Sequence, residues 1–181
     1  MNQTIITLLL IIFLTPFRSE ENSSKTYCTQ QQDIFTGNWK YKNGNEVFII
    51  RLWKTSDGYK GHYKKIIVDA NNNEVSEIFN SDKRLTGSNW NWPYVLYAWD
   101  YSIPNYSIQG SVSDNTVTNA PNEPGFISGG WKMQIINPEC YTDPTIICNL
   151  QAKFTVKRSP GLYNPAEPDF SIPTDVILTK E

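Results

Sequence analysis

From Phe35 onward apolar and polar residues alternate along the chain. Within FTGNWKYKNGNEVFIIRLWKT, residues 35–55, Phe48, Ile50 and Leu52 fall on one side of an extended segment, with Val47, Ile49, Arg51 and Trp53 on the other. Successive side chains of a strand point to opposite faces, so this spacing predicts a β-strand with apolar character on both sides. Ser56-Asp57-Gly58 reads as a turn, and Tyr59 to Asp69 as the returning strand of a hairpin. Asn71-Asn72-Asn73 is a second turn signal before a strand from Glu74 to Phe79. After a loop from Asn80 to Pro93, Tyr94 to Tyr101 is β-branched and aromatic, as strands prefer. Tyr106, Ile108, Gly110 and Val112 then alternate with Ser107, Gln109, Ser111 and Ser113, and Asp114-Asn115 is expected to turn the chain into a strand from Thr116 to Asn119. Further strands are predicted from Phe126 to Asn137, Leu150 to Arg158 and Thr174 to Lys180, and no helical period follows Cys28.

About eight to ten antiparallel strands joined by tight turns imply a barrel or a sandwich. Sequential hairpins favour an all-β, single up-and-down barrel, because closure removes the exposed edges that such aromatic strands would otherwise present. The connection from Ser159 to Pro173 is long and proline-rich, the kind of loop that often carries function.

Composition narrows the picture. The chain has 13% aromatic and 19% charged residues, the profile of a folding domain. A net charge of −2 without a Lys/Arg block gives no footprint for nucleic acid. The apolar run from Ile5 to Phe13 is shorter than the roughly 20 residues that span a bilayer and has the length of a signal-peptide core. We therefore read residues 1–19 as a signal peptide, 20–34 as a flexible leader and 35–181 as the barrel, in a secreted, periplasmic or envelope protein with no membrane span in its mature part. An uncleaved anchor is the alternative. Lipidation at Cys28 is rejected, since Lys25-Thr26-Tyr27 is no lipobox. Three cysteines suit an exported protein. A bridge between Cys140 and Cys148 is the most economical pairing; the alternatives are that all three stay reduced or that Cys28 pairs with one of the others.

Phe35-Thr36-Gly37-Asn38-Trp39 resembles the Gly-x-Trp opening of lipocalins and other calycins, and the hairpin through Asp57-Gly58-Tyr59-Lys60-Gly61-His62-Tyr63 resembles the first hairpin of avidin-like barrels. With the ending Ile172-Pro173-Thr174-Asp175-Val176-Ile177-Leu178-Thr179-Lys180, the whole chain after the signal is similar to an uncharacterised secreted family of flavobacteria. The calycin resemblance implies a structural role for Gly37 and Trp39, with the indole across the closed end of the barrel under a cation from a late strand, Arg158 or Lys180. The Trp-x-Gly-Gln step of avidins does not occur, which speaks against biotin.

No catalytic set is visible. His62 is the only histidine, so any Ser-His-Asp or zinc site would have to be built around it. Asp69, Asn71 and Asn73 imitate a calcium loop, but Glu74 and Asn80 stand where Gly and Glu are required. Glu74, Glu77, Asp82 and Asp100 keep a glycosidase-like enzyme as a third reading. We expect no cofactor and no metal. The first expectation is non-catalytic binding of a small or extended ligand at one barrel end, with Trp90, Trp92, Tyr94, Tyr97 and Tyr63 as contacts and the loops from Ser88 to Tyr94 and Ser159 to Pro173 as walls. A protein–protein module, an inhibitor or envelope component, is the second. Trp99, Trp131 and Phe154 are expected in the core.

Overall fold

The computed structural model describes residues 33–85, 87–99, 106–118, 120, 125–143, 145–159 and 168–181. The expected signal peptide, most of the leader, Cys28 and Asp100 lie outside these. In chain order the elements are β1 (Gly37–Asn43), β2 (Glu46–Thr55), β3 (Gly58–Val68), β4 (Glu74–Asn80), β5 (Leu96–Trp99), β6 (Ser107–Asp114), β7 (Ile127–Ile135), α1 (Glu139–Thr142), β8 (Gln151–Arg158) and β9 (Asp175–Lys180).

The strands pair antiparallel in the order β2-β1-β9-β8-β7-β6-β5-β3, and β3 pairs back onto β2, which closes an eight-stranded up-and-down barrel. The length of β3 explains why β4 stands outside the ring. Its first part, Gly58 to Gly61, pairs with β5, and its second part, Lys64 to Val68, pairs with β4. Two register shifts on the β4 side, between Lys65 and Ile66 and between Ile67 and Val68, bend this outer strand away, as bulges do at sheet edges.

One end of the barrel is closed by residues just before β1. Gly37 has φ +113°, a conformation that side-chain-bearing residues rarely adopt, and it turns the chain from this floor into β1. Trp39 Nε1 donates to the Phe35 carbonyl at 2.8 Å, and the Phe35 ring meets Tyr59 edge to face with centroids 5.8 Å apart. The Tyr59 hydroxyl donates to Asp33 at 2.6 Å, and Lys54 bridges to the same carboxylate at 3.2 Å. Burial pushes the Asp33 carboxyl up, but the hydrogen bonds from Tyr59, the Phe35 amide and Lys54, with the Lys54 charge, outweigh it and hold the group below its ordinary value. Ile34, expected in the leader, packs into the core. The cation over Trp39 is Lys180, 5.7 Å from the ring, and its Nζ also donates to the Ile34 carbonyl at 3.0 Å. Arg158 does not take that place: it stands over Phe170 at the other end of the barrel, 5.2 Å from the ring.

That other end is closed as well. The chain preceding β9 crosses the barrel, and the Asp114 carboxylate at the end of β6 receives the Ser171 amide at 2.7 Å and the Ser171 hydroxyl at 2.9 Å. Ile172 beside it is 3% exposed. Residues 168–173 thus form a plug, whereas the Ser159 to Pro173 loop was expected to be a wall. Asp114 also holds Thr116 through its amide at 3.1 Å and its hydroxyl at 2.8 Å. This Asx-type turn explains why Thr116 to Thr118 is not the strand the alternation suggested.

Between floor and plug the described interior residues are closely packed. Phe35, Trp39, Ile50, Tyr59, Met133 and Phe154 each have 0% of their surface open to water, so no water-sized space touches them. Full burial of a large apolar side chain stabilises by about 1.5–3 kcal/mol, and these residues dominate the core. Trp131 faces the same interior and is accommodated by small neighbours. It lies opposite Gly110, which in turn lies opposite Ala98. A Cβ at Gly110 would meet the Tyr97 carbonyl oxygen at 1.8 Å, so only glycine fits there.

Below the floor, Cys140 and Cys148 form a disulfide that closes the loop containing α1. Asn137 secures its base, donating to the Asn149 carbonyl at 2.9 Å and accepting from the Gln151 amide at 2.6 Å.

Candidate ligand-binding surface

With the interior filled, hollows of ligand size lie on the outside. The largest described, about 530 Å³, sits on the outer wall of β5 to β8 and is lined by Trp99, Gln109, Lys132, Thr155, Lys157 and Ser159, among others. The register explains its shape. One outward row runs Tyr97, Ser111, Gly130, Lys157, and the next runs Gln109, Lys132, Thr155, Asp175, with Trp99 beside Gln109 because Ala98 pairs with Gly110. Gly130 leaves the middle of the first row without a side chain. A Cβ added there would meet only the Gly110 carbonyl oxygen, at 3.7 Å, so the space is open.

At the β5 side of this hollow the aromatic residues form a continuous outer strip. Tyr94 and Tyr97 have ring centroids 5.7 Å apart, and Tyr97 and Trp99 meet edge to face at 4.8 Å. Lys60 lies 5.0 Å from the Tyr94 ring and 5.9 Å from that of Tyr97. Tyr94 and Tyr97, three residues apart, share a side because the chain bulges between them. Leu96 pairs with Gly61 while the Val95 amide also donates to the Gly61 carbonyl at 2.9 Å, so two residues oppose one. Trp99, expected in the core, is 56% exposed. Trp131 and Phe154 are in the core as expected, at 3% and 0%.

The five residues expected at one ligand site are placed apart. Tyr94 and Tyr97 face outward as described. Trp90, 79% exposed, stands in a small hairpin beside its Arg84–Asn91 bridge, its carbonyl accepting the Leu85 amide at 2.8 Å. Trp92 turns inward, edge to face with Phe126 at 5.5 Å, and packs on the core. Tyr63 is interior, 2% exposed, and its hydroxyl donates to Asp114 at 2.7 Å. Burial, with the Asp114 charge beside it, pushes the Tyr63 phenol well above its ordinary value, so it stays a donor.

His62 contacts the Ser81 hydroxyl through Nδ1 at 3.2 Å. Ser81 is 0% exposed and also accepts the Tyr63 amide at 2.8 Å, so the pair fastens the chain after β4 to β3 and presents no accessible nucleophile. Burial lowers the His62 pKa, against the opposing charge of Asp82. Glu77 and Asp82 share a separate hollow of about 410 Å³ beside β4, and Glu74 is engaged by Lys64 at 2.7 Å. Among the described residues no group of three or more His, Cys, Asp or Glu could hold a metal ion, and no helix is long and apolar enough to cross a membrane.

Trp99 was expected in the core, and Gly130, Lys132 and Lys157 were not among the expected contacts. The signal was present: Ile127, Gly129, Trp131, Met133 and Ile135 form one face of β7, which puts Gly130 and Lys132 on the other. No curated protein and no solved structure is a significant match to this chain. Across residues 1–181, barrel included, the chain belongs to a family of unknown function, DUF6705.

Proposed function

We propose that this protein is a non-catalytic binding protein that holds an extended ligand on the outer wall of its barrel, along the strip from Tyr94 through Tyr97 and Trp99 to the hollow over Gly130. The observation that carries this reading is the contrast between an interior that, among the described residues, is packed and capped at both ends and an open hollow beside the exposed Trp99 ring. The ligand-at-one-end expectation is thereby moved to the wall. The hollow, about 530 Å³, falls within the roughly 300–1,000 Å³ of ligand sites. Aromatic faces give contact area at little entropic cost, and the flanking Gln109 and Thr155 offer hydrogen bonds. We further place the protein outside the cytoplasm, as the Cys140–Cys148 bridge and the N-terminal apolar run favour.

A second reading, a protein-binding module, is favoured by Trp90 at 79% and Ile147 at 101% exposure. These lie on two separate loops. Titration of the protein with a panel of neutral and acidic oligosaccharides, followed by backbone amide shifts, separates the two. Shifts at Trp99, Gln109, Gly130 and Lys132 support the wall. Binding by no member of the panel, or shifts confined to the Trp90 hairpin or the disulfide loop, would overturn it.

A further inference from the structure

We propose that the ligand of this wall is an acidic glycan, its sugar rings stacking on Trp99 and Tyr97 and its acid groups received by Lys132 and Lys157. The inference rests on the outer-wall reading and adds the chemistry of the ligand. Charge is the first argument. Among the described residues the hollow is lined by Lys132, Lys157 and Arg158 and by no carboxylate, although the chain as a whole carries −2. Lys132 lies directly opposite Thr155, and Lys157 stands two residues further along β8, so the two residues are diagonal neighbours on one face, their Cα atoms about 7–8 Å apart. Several lysines elsewhere on the barrel are paired: Lys54, Lys60, Lys64 and Lys153 each have a carboxylate within 3.2 Å. Lys132 and Lys157 have none among the described residues. Two like charges held together without a counter-charge favour an anion between them.

Ring chemistry is the second argument. A sugar presents a face of C–H groups that packs on an aromatic plane, and its hydroxyls need donors and acceptors around the rim. Trp99 supplies an exposed plane with Tyr97 set against it at 78°, and Gln109, Ser111 and Thr155 supply polar groups in the same two outward rows. Nucleic acid also stacks and carries charge, but it brings a phosphate with every nucleotide. Here the cationic zone is bounded by Asp57, paired with Lys60, on one side and Asp175, paired with Lys153, on the other. Among the described residues, Lys132 and Lys157 lie on the strands between them, which suits a short run of acidic rings.

The test compares a uronic-acid hexasaccharide, a neutral hexasaccharide of the same linkage and a hexathymidylate, titrated calorimetrically into the full chain. The acidic hexamer is expected to bind at least about tenfold more tightly than the neutral one, the scale of one charge-assisted hydrogen bond. Its advantage should shrink as NaCl is raised. Lys132→Gln with Lys157→Gln should abolish the advantage while the neutral hexamer still binds, and Gly130→Leu, which fills the hollow, should remove both. Equal affinity for acidic and neutral hexamers would overturn the acidic inference and leave the outer-wall reading standing. Binding of neither would overturn the outer-wall reading itself. Tighter binding of hexathymidylate would overturn the glycan in favour of single-stranded nucleic acid.

Discussion

Trp39 and Trp99 occupy opposite extremes of one barrel. Trp39 is fully buried, its Nε1 is bonded to the Phe35 carbonyl, and Lys180 covers its ring. Trp99 is 56% exposed, with a tyrosine edge beside it and an open hollow next to it. Both stand on strands of the same alternating pattern. The difference teaches that in this protein an inward aromatic is explained by stability alone, whereas an outward one costs solvation without gaining a core. Under the proposed function, the outer strip is where ligand is held.

Substitution of the two tryptophans separates these roles most widely. Trp39→Ala should destabilise by about 3–5 kcal/mol, as large-to-small core changes do, and a denaturant melt measures it. Trp99→Ala should shift the same melt by no more than about 0.5 kcal/mol, as exposed positions do. Comparable losses at both sites would dissolve the distinction. Opening the disulfide with Cys140→Ser and Cys148→Ser should cost about 2–3 kcal/mol from the closed loop of eight residues' separation, without touching the wall. A melt in reducing and oxidising buffer reads that effect directly.

The floor should also show in the pH dependence. Because the folded-state pKa of Asp33 lies below its ordinary 3.8, its contribution is fully present above that value and is lost as pH falls through the folded pKa. Asp33→Asn should therefore lower stability at neutral pH, and its difference from the unsubstituted protein should narrow below pH about 4. A constant difference down to pH 2 would detach Asp33 from the floor. A small effect of opposite sign is expected at Gly130. Gly130→Ala should stabilise by about 0.4–1 kcal/mol, since the space is open and the unfolded chain loses freedom.

Much of the fold was legible because closure of a barrel needs only alternating strands and tight turns. The structural role expected of Gly37 and Trp39 came from the resemblance of their Gly-x-Trp step to calycins. What the alternation could not supply was the face when both faces are apolar. In the stretch Val95 to Trp99, Val95 and Leu96 are both buried, and the bulge at that point sends Tyr97 and Trp99 outward. The choice of Ala98 for the interior depends on Trp131 and Gly110, residues distant in sequence that share its layer. Likewise the plug at Ser171 depends on Asp114, whose carboxylate served a distant loop as well as the local turn that its sequence context suggested. Arg158 and Lys180 were equal as cations in the sequence. The register of β9 on β1, which places Lys180 opposite Trp39, decided between them.

The central claim is that ligand is bound by the wall and not by the interior. It is tested most directly by ¹⁹F NMR of the protein labelled with fluorotryptophan, each resonance assigned by substitution, during titration with the uronic-acid hexasaccharide. The account predicts that the Trp99 resonance moves while those of Trp39 and Trp131 stay in place. Movement of Trp39 or Trp131 with Trp99 unchanged would contradict it.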